Sequence, residues 1–284
     1  MEKKGALGRI KSTFIGDRAF YQSVVKLLIP IVIQQGITSF VNLLDNVMVG
    51  ALSTAAISGV AIVNQLIFVF NLCIFGALSG AGIFGAQFYG KNDIEGVRST
   101  FRFKMIICVV LAVTGGLVLY FFGGDLVGLY LKGEGTAEDA AASLGFGVSY
   151  IKIIITTFIV YAIAQAYAST LRETGETVLP MVAGIVAVLV NLFLNYVLIY
   201  GHFGAPAMGV EGAAIATAVS RFAELGVVAI ATHTRKKKYT FAIGLYKTFR
   251  IPAELRRQIL VRGTPLFVNE GLWSAGMAML NQCY

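Results

Sequence analysis

Residues 46–90 read NVMVGALSTAAISGVAIVNQLIFVFNLCIFGALSGAGIFGAQFYG, and they contain no Asp, Glu, Lys or Arg. A helix that crosses a membrane needs about 20 mainly apolar residues. The stretch is too long for one such helix, so we expect the end of one span, a short turn near Ser53 and Thr54, and a second span. Strands of a membrane barrel would be about 10 residues long with strict alternation of apolar and polar side chains, and that pattern is absent. The spans are therefore predicted to be helices.

The composition of the whole chain supports a membrane location. Of its 284 residues, 57% are hydrophobic and 13% are charged, whereas a soluble domain has about 25% charged residues. Such a chain cannot cover a water-exposed surface, which excludes a soluble enzyme, a nucleic-acid-binding domain and a disordered protein. The sequence also lacks metal-binding Cys and His spacings and nucleotide-binding motifs. We therefore expect an all-α, multi-pass protein of the cell membrane, with the lipid bilayer as a partner, no enzymatic activity and no cofactor.

Further apolar runs extend this pattern along the chain. The predicted spans lie at about 24–50, 56–80, 104–122, 144–170, 178–201, 210–233 and from 263 onward. Residues 252–260 could form an amphipathic surface helix. The predicted organisation is a six-helix bundle over residues 1–233, a basic cytoplasmic loop over 234–262, and the first helix of a second bundle over 263–284.

Basic residues alternate between the two predicted sides of this bundle. Six occur up to Lys26, four lie between the second and third spans, and nine follow the sixth span. These are, in order, Lys3, Lys4, Arg9, Lys11, Arg18, Lys26, Lys91, Arg98, Arg102, Lys104, Arg235, Lys236, Lys237, Lys238, Lys247, Arg250, Arg256, Arg257 and Arg262. Because Lys and Arg accumulate on the cytoplasmic side of a membrane, the N-terminus is predicted to be cytoplasmic. The alternative for the last group is a specific surface for anionic lipid or nucleic acid.

The first and seventh spans share a polar pattern. Proline, two polar residues and glycine occur at the same spacing in Pro30-Ile-Val-Ile-Gln34-Gln35-Gly36 and in Pro265-Leu-Phe-Val-Asn269-Glu270-Gly271. Both spans are also predicted to begin on the cytoplasmic side. This indicates a parallel repeat of six-helix bundles, as occurs in some transporters. The chain would then hold one bundle and the first helix of a second.

Asp45 is the leading candidate for chemistry. An ionisable side chain inside a span is costly and marks a functional site by default. Asp45 could bind and release a proton or, with neutral oxygens around it, hold Na⁺. The alternative is that it caps the turn near Ser53 or lies among lipid headgroups. Pro30 is predicted to kink the first span, although a proline at the start of a helix would be tolerated there.

Other polar side chains inside the spans complete the candidate set. Asn191 and Asn195 are four residues apart, on one helix face, and either join helices by hydrogen bonds or line a polar cavity. Thr217 could add an oxygen ligand, and Glu270 is a second acid within a span. Arg221 and Glu224 are expected to neutralise each other. The polar residues expected to line a substrate cavity are Gln34, Gln35, Asn64 and Gln65.

Several runs together resemble the multidrug and toxic compound extrusion (MATE) family, over about residues 15–284. The runs that carry this resemblance are Pro30 with Gln34-Gln35 and VNLLDNVMVG at 41–50, then GAQFYGKND at 85–93, LRETGETVLPM at 171–181, NLFLNY at 191–196 and GVEGAAIAT at 209–217. Their order and their placement at helix ends also agree with the family.

The resemblance implies a cation-coupled antiporter built from two six-helix bundles around a V-shaped cavity. Such proteins exchange inward Na⁺ or H⁺ for outward cationic or amphipathic drugs. In this chain the resemblance maps the coupling acid onto Asp45, the kink proline onto Pro30, and the cation-site amide and hydroxyl onto Asn191 and Thr217. Glu270 corresponds to an acid of the seventh helix that is used by members with a Na⁺ site in the second bundle. Helices eight to twelve would be missing.

The chain departs from some members of the family at Asn195, where those members have a second Asp. That difference disfavours a proton mechanism that needs two acids. The nearest alternative function is a flippase for lipid-linked sugars, which should place several basic residues inside the cavity, where only Lys152 and Arg221 are candidates. A membrane interaction subunit without transport is a further alternative.

The loop charges predict that residues 91–104, 171–177 and 234–262 face the cytoplasm. Single cysteines placed in these loops of a cysteine-free protein should be labelled by an impermeant reagent only from the cytoplasmic side. A cysteine at position 134 should be labelled only from the opposite side. Cytoplasmic labelling of position 134 would show that the orientation is wrong.

Overall fold

The computed structural model describes residues 17–131 and 136–283 of the chain. Its main helices are α1 (Arg18–Gly50), α2 (Thr54–Gly90), α3 (Ile94–Tyr130), α4 (Ala137–Ile154), α5 (Phe158–Glu173), α6 (Val178–Tyr200), α7 (Gly209–Thr234) and α8 (Ala253–Cys283). Single 3₁₀ turns occur at Ile155–Thr157, His202–Gly204 and Thr240–Ala242. No strand occurs within these described ranges.

Six segments are long and apolar enough to cross a membrane, which confirms the predicted bundle. They are α1, α2, α3, α4 together with α5, α6 and α7. The helices α2 and α3 each contain 37 residues, so they run well past the apolar stretches at 56–80 and 104–122. The polar residues at their ends are accommodated by capping and by contacts with other helices. The amphipathic stretch at 252–260 is helical, but it forms the first turns of α8 rather than a separate helix.

The helix starts follow from short polar side chains. Ser53 and Asp93 accept hydrogen bonds from the backbone N–H groups of Ala56 at 3.0 Å and Gly96 at 2.9 Å. These contacts satisfy N–H groups that a helix leaves without an internal partner. Because Asp93 caps α3, residues 94–104 are helical and do not belong to the predicted loop at 91–104. The predicted loop charges at Lys3, Lys4, Arg9 and Lys11, and the labelling position 134, lie outside the described residues.

Small residues set the helix spacing. A Cβ on Gly59 of α2 would lie 2.4 Å from the Ser143 carbonyl oxygen of α4, and one on Gly212 of α7 would lie 2.6 Å from the Leu198 carbonyl oxygen of α6. Helices in lipid are held mainly by close packing, since lipid is as apolar as the helix surfaces. Aromatic contacts fill the interior, where Phe70 and Phe158 stack with ring centroids 4.0 Å apart.

Lys104 and Glu173 form a buried ion pair between α3 and α5. The Lys104 side chain has no exposed surface, and it also donates to the hydroxyl of Thr170 at 3.2 Å. The Glu173 carboxylate lies against α2, where Gly82 and Gly85 leave room for it. The sequence had placed Lys104 in a loop, but the helix buries it because an acid of another helix compensates its charge.

The segment between α7 and α8 is folded against the bundle. Arg102 of α3 donates to the backbone oxygens of Leu245 at 3.0 Å and Gly244 at 3.3 Å, and Arg98 donates to those of Phe241 and Thr240. Glu95 accepts from both arginines. This part of the predicted loop at 234–262 therefore has a fixed backbone.

Glu176, in the turn between α5 and α6, is a second anchor for this segment. It accepts from the side chains of Lys238 and Tyr239 and from the backbone N–H of Leu179. Burial alone would raise the pKa of Glu176, but these hydrogen bonds outweigh burial and hold its pKa below the usual value. The Glu176 carboxylate therefore remains charged near neutral pH and continues to bind Lys238 and Tyr239 of the segment.

The start of α8 packs along α2. A Cβ on Gly80 would lie 2.7 Å from the Gly263 Cα, and one on Gly76 would lie 3.3 Å from the Phe267 Cα. Leu255 and Ile259 of α8 are buried in the same region. The seventh predicted helix thus rests on the second helix of the first bundle.

Replacing Gly80 with alanine should loosen this contact, because the added methyl group overlaps the backbone of α8. We expect a loss of about 1–3 kcal/mol, seen as a lower thermal unfolding midpoint of the purified protein. Gly128→Ala is the control, since a Cβ on Gly128 of α3 meets nothing within 4 Å. Equal midpoints for the two variants would show that the α2–α8 contact does not need glycine.

Candidate functional site

Asp45 lies on the one face of α1 that packs against the bundle. Gln34, Thr38, Val41, Asp45 and Val49 recur at helical spacing, and each is buried or half-buried. The opposite faces of α1 are exposed and largely apolar. Pro30 is inside α1 rather than in its first turn, so it removes the hydrogen bond that the Lys26 carbonyl would otherwise receive. The kink at Pro30 stays a prediction.

The Asp45 carboxylate contacts two amides of α6. Asn195 Nδ2 donates to Asp45 Oδ1 at 2.6 Å. The partners around the Asn191 amide favour the orientation with its nitrogen toward Asp45, where it donates to both carboxylate oxygens at 3.0 Å. The Asn191 oxygen then accepts from Thr217 Oγ1 of α7 at 3.2 Å. The structure therefore brings together four of the predicted cation-site residues, from three helices.

Asn195 supplies an oxygen that no residue in the described part of the chain contacts by a hydrogen bond. The residue is 1% exposed, and this oxygen, Oδ1, is buried. A buried amide oxygen without a partner is costly. Together with the Asp45 carboxylate and the Thr217 hydroxyl, it offers the oxygen ligands that a hard cation prefers. The arrangement also fits a proton on Asp45.

Asp45 does not cap the turn that follows α1. Ser53 performs that role for α2 with its own hydroxyl group. The Asp45 side chain points instead to α6, and it is half-buried rather than exposed. The capping alternative is therefore wrong for this structure.

Arg221 and Glu224 form the expected pair on α7. Arg221 Nη1 lies 3.1 Å from Glu224 Oε2, and the guanidinium lies over the Tyr161 ring, 4.8 Å from its centroid. Gln165 of α5 donates to the second Glu224 oxygen at 3.4 Å. Arg221 is one turn beyond Thr217, so this neutral pair continues the polar face that begins at the Asp45 site.

Gln34 has a partner that the sequence did not indicate. Arg172, at the end of α5, donates to Gln34 Oε1 at 3.2 Å, and the Gln34 side chain packs on Gly184 of α6. In the sequence, Arg172 falls in the predicted cytoplasmic loop at 171–177 and in the run that resembles the family. Its position in the last turn of a helix was the available signal, but only the fold shows that it reaches α1.

The four residues predicted to line a substrate cavity do not share a described cavity. Gln35 and Asn64 are exposed, and Gln65 is half-buried on α2. A cavity of about 150 Å³ lies elsewhere, beside Glu176 and Tyr239. A further one of about 470 Å³ lies beside Phe146 and Met208. The assignment of Gln34, Gln35, Asn64 and Gln65 to substrate binding stays a prediction.

Glu270 lies apart from the Asp45 network. It is half-buried on α8, and its Cβ and Cγ atoms pack against Gly76 of α2. No hydrogen bond between Glu270 and Asp45, Asn191, Asn195 or Thr217 occurs among the described residues. A role for Glu270 as a cation ligand would therefore belong to a separate site.

A family model and curated relatives both match this chain over much of its length. The MatE family model matches residues 30–197. A probable multidrug resistance protein NorM of Thermotoga maritima is 28% identical over 263 residues, which are 91% of this chain and 53% of that protein. The multidrug resistance protein PmpM of Pseudomonas aeruginosa is 30% identical over 212 residues, 74% of this chain and 43% of that protein. The chain spans about half the length of these curated relatives.

Solved structures show the same fold. An outward-facing multidrug resistance MATE family transporter of the MOP superfamily matches with a TM-score of 0.77 at 21% identity, over 91% of this chain and 55% of that chain. An inward-facing structure with the same description matches with a TM-score of 0.73 at 21% identity, over 92% of this chain and 56% of that chain. The described helices therefore correspond to about half of a MATE fold.

Proposed function

Since this chain belongs to the MatE family, we propose that it forms the amino-terminal half of a cation-coupled exporter of cationic or amphipathic drugs. Its multiple apolar helices make it a multi-pass membrane protein. The observation that carries the proposal is the placement of Asp45 at the α1–α6 contact, held by the amides of Asn195 and Asn191. Multidrug relatives such as NorM and PmpM support drug export as the activity.

The site offers a physical route from cation binding to movement of α1. Asp45 accepts hydrogen bonds that attach α1 to α6, and a cation that binds the carboxylate competes with those amide donors. The same face of α1 also packs Val41 and Val49 into the bundle, and Tyr200 of α6 donates to the Met48 carbonyl oxygen at 3.1 Å. The attachment at Asp45 is therefore one of several contacts that hold this part of α1. Cation binding therefore changes the balance between two positions of α1. It can drive export only if the cation and the drug favour different positions.

Pro30 gives α1 a point at which to bend. The helix lacks one internal hydrogen bond there, whereas Asp45 lies beyond Pro30 near the other end of the same helix. A change at Asp45 can therefore swing the outer part of α1 while the part before Pro30 stays in place. The coupling cation, Na⁺ or H⁺, is a transported substrate, and no other cofactor is needed for this cycle.

The alternatives have less support from the described residues. A flippase for lipid-linked sugars should present several basic side chains to its cavity. Of the basic residues near the site, Arg221 is neutralised by Glu224 and Arg172 is engaged with Gln34. A membrane interaction subunit would have no need of a carboxylate and an unpartnered amide oxygen at a helix contact. MATE relatives are transporters, so enzymatic activity is not proposed.

Residues 1–284 alone should not transport. A MATE-like cavity lies between two bundles, and one bundle leaves its polar residues Gln35 and Asn64 exposed. Cells that express only these residues should accumulate a fluorescent cationic drug as vector controls do. Efflux that is present here and absent from the matched Asp45→Ala variant would contradict this expectation and indicate that two copies rebuild the cavity.

In the full-length protein, Asp45→Asn should abolish coupled transport and leave folding intact. Asn keeps the size of the side chain and an oxygen that can accept from Asn195, but it removes the negative charge. Asn191, Asn195 and Thr217 have neutral oxygens, which can complete an ion shell but cannot neutralise a cation. In proteoliposomes with an imposed ion gradient, drug efflux should fall to the level of protein-free liposomes.

The matched control is Asp125→Asn, which makes the same change at an exposed carboxylate of α3. This variant should transport normally. Near-normal efflux by Asp45→Asn, at normal protein yield, would remove the coupling role of Asp45 and leave it a structural residue that holds α1 on α6.

A further inference from the structure

The segment 235–252 and the start of α8 have a buried side and an exposed side. Tyr239, Phe241 and Leu245 are buried in a cluster with residues of α3, α5 and α6. Leu255 and Ile259 are buried against α2 and α3. The backbone oxygens of Thr240, Phe241, Gly244 and Leu245 are held by Arg98 and Arg102. The exposed side is therefore presented on a fixed frame.

The exposed side is strongly basic. Its cations, here named the basic platform, are Lys236, Lys237, Lys247, Arg250, Arg256 and Arg257. Glu176 pairs with Lys238 outside this set, and the single carboxylate of Glu254, which accepts from Gln258, offsets only one of the six charges. The platform therefore carries an excess of positive charge with free donors.

Large apolar side chains are exposed beside these cations. Ile243, Tyr246 and Phe249 are 49%, 48% and 53% exposed. Tyr246 also hydrogen-bonds Tyr167 of α5, which holds its ring at the edge of the bundle. A loop that served only to carry positive charge would gain nothing from exposing three such side chains to water. Basic residues mixed with apolar and aromatic ones are typical of surfaces that lie at the headgroup boundary of a membrane.

The platform also lies next to the ends of predicted membrane spans. It adjoins the beginning of α3, the end of α5 and the end of α7, which are ends of three predicted spans. Lys236 and Lys237 follow α7 directly. Arg and Lys side chains at such a position can reach the phosphates of the surrounding lipid.

We propose that the basic platform, with Ile243, Tyr246 and Phe249, is a binding surface for anionic phospholipid headgroups. The cations bind the phosphodiester and headgroup charge, and the three apolar side chains enter the adjoining acyl region. Nucleic acid shares the negative charge, but it has no apolar layer to receive Ile243 and Phe249, and it is not confined to the ends of the spans. The proposal is independent of the transport activity.

The test uses lipid quenching of a tryptophan introduced at the platform. Phe249→Trp protein is reconstituted into phosphatidylcholine vesicles that contain increasing fractions of acyl-brominated phosphatidylglycerol or, separately, acyl-brominated phosphatidylcholine. The fluorescence of the parent protein is subtracted from that of the variant. This removes the contribution of Trp273 and leaves the signal of the new tryptophan. The brominated anionic lipid should quench it at a lower fraction than the brominated neutral lipid does. Ile243→Trp provides a second reporter if Phe249→Trp does not fold.

The decisive comparison is between two pairs of charge removals. The double variant with Lys247→Gln and Arg250→Gln should need an about tenfold higher fraction of brominated anionic lipid for half-maximal quenching. Each surface cation strengthens binding to an anionic membrane about fivefold, and salt screening reduces the combined effect of the two. Lys26→Gln with Lys91→Gln removes two other exposed cations on the same predicted side and should leave the fraction unchanged.

Three results would overturn the proposal. Equal quenching by the two brominated lipids would show that the platform has no preference for anionic headgroups. An equal loss of quenching by the anionic lipid in the Lys26→Gln and Lys91→Gln control would show that the effect comes from general surface charge. Binding of a short DNA duplex in neutral vesicles, lost with Lys247→Gln and Arg250→Gln and without any lipid preference, would assign the surface to nucleic acid instead.

Discussion

The close approach of helix backbones is the constraint on which the rest of this structure depends. Lipid does not drive apolar helices together as water does, so contact must come from fit and from hydrogen bonds between helices. Gly212 brings α7 within reach of the Leu198 carbonyl oxygen of α6, and Gly184 of α6 leaves room for the Gln34 side chain of α1. These three helices carry Asp45, Asn191, Asn195 and Thr217, whose short side chains meet because the helices lie close together. The polar site is thus a product of the glycine-rich packing around it.

Hydropathy was sufficient to predict the existence and order of the first six spans, because their apolar runs are long and the turns between them short. The seventh predicted span, from 263 onward, is helical within α8, but α8 is not among the described helices that are apolar enough to cross a membrane. It was not sufficient to predict where the helices end. The start of α3 carries Arg98, Arg102 and Lys104, which look like loop residues in the sequence. In the fold, each finds an acid, a carbonyl or a hydroxyl group on a distant segment. Such partners are set by tertiary structure, and no local pattern reveals them.

The candidate site could be predicted only in part, again because tertiary structure determines which polar residues meet. Asn191 and Asn195 share a helix face by spacing alone, and family resemblance linked Asn191 to Asp45 and Thr217. The contact of Arg172 with Gln34 joins residues far apart in the sequence and followed from neither source. Glu270 shares an apolar setting with Asp45 in the sequence, but α8 packs on α2, and this places Glu270 in different surroundings. A polar residue within a span therefore identifies a candidate, whereas only the packing identifies its partners.

The ion pair of Lys104 and Glu173 has a consequence for how this sequence can evolve. A Cβ on Gly85 would lie 2.2 Å from Glu173 Oε2, and one on Gly82 would lie 2.7 Å from Glu173 Oε1. A larger residue at either glycine requires the Glu173 carboxylate to move, and movement away from Lys104 weakens the compensation of a buried ammonium group. Conversely, once Glu173 is lost, the buried charge of Lys104 destabilises the fold, and Gly82 and Gly85 no longer have to leave room for a carboxylate. These four positions, spread over three helices, are therefore expected to change together among descendants of this sequence, with intermediates that carry only one of the changes being rare.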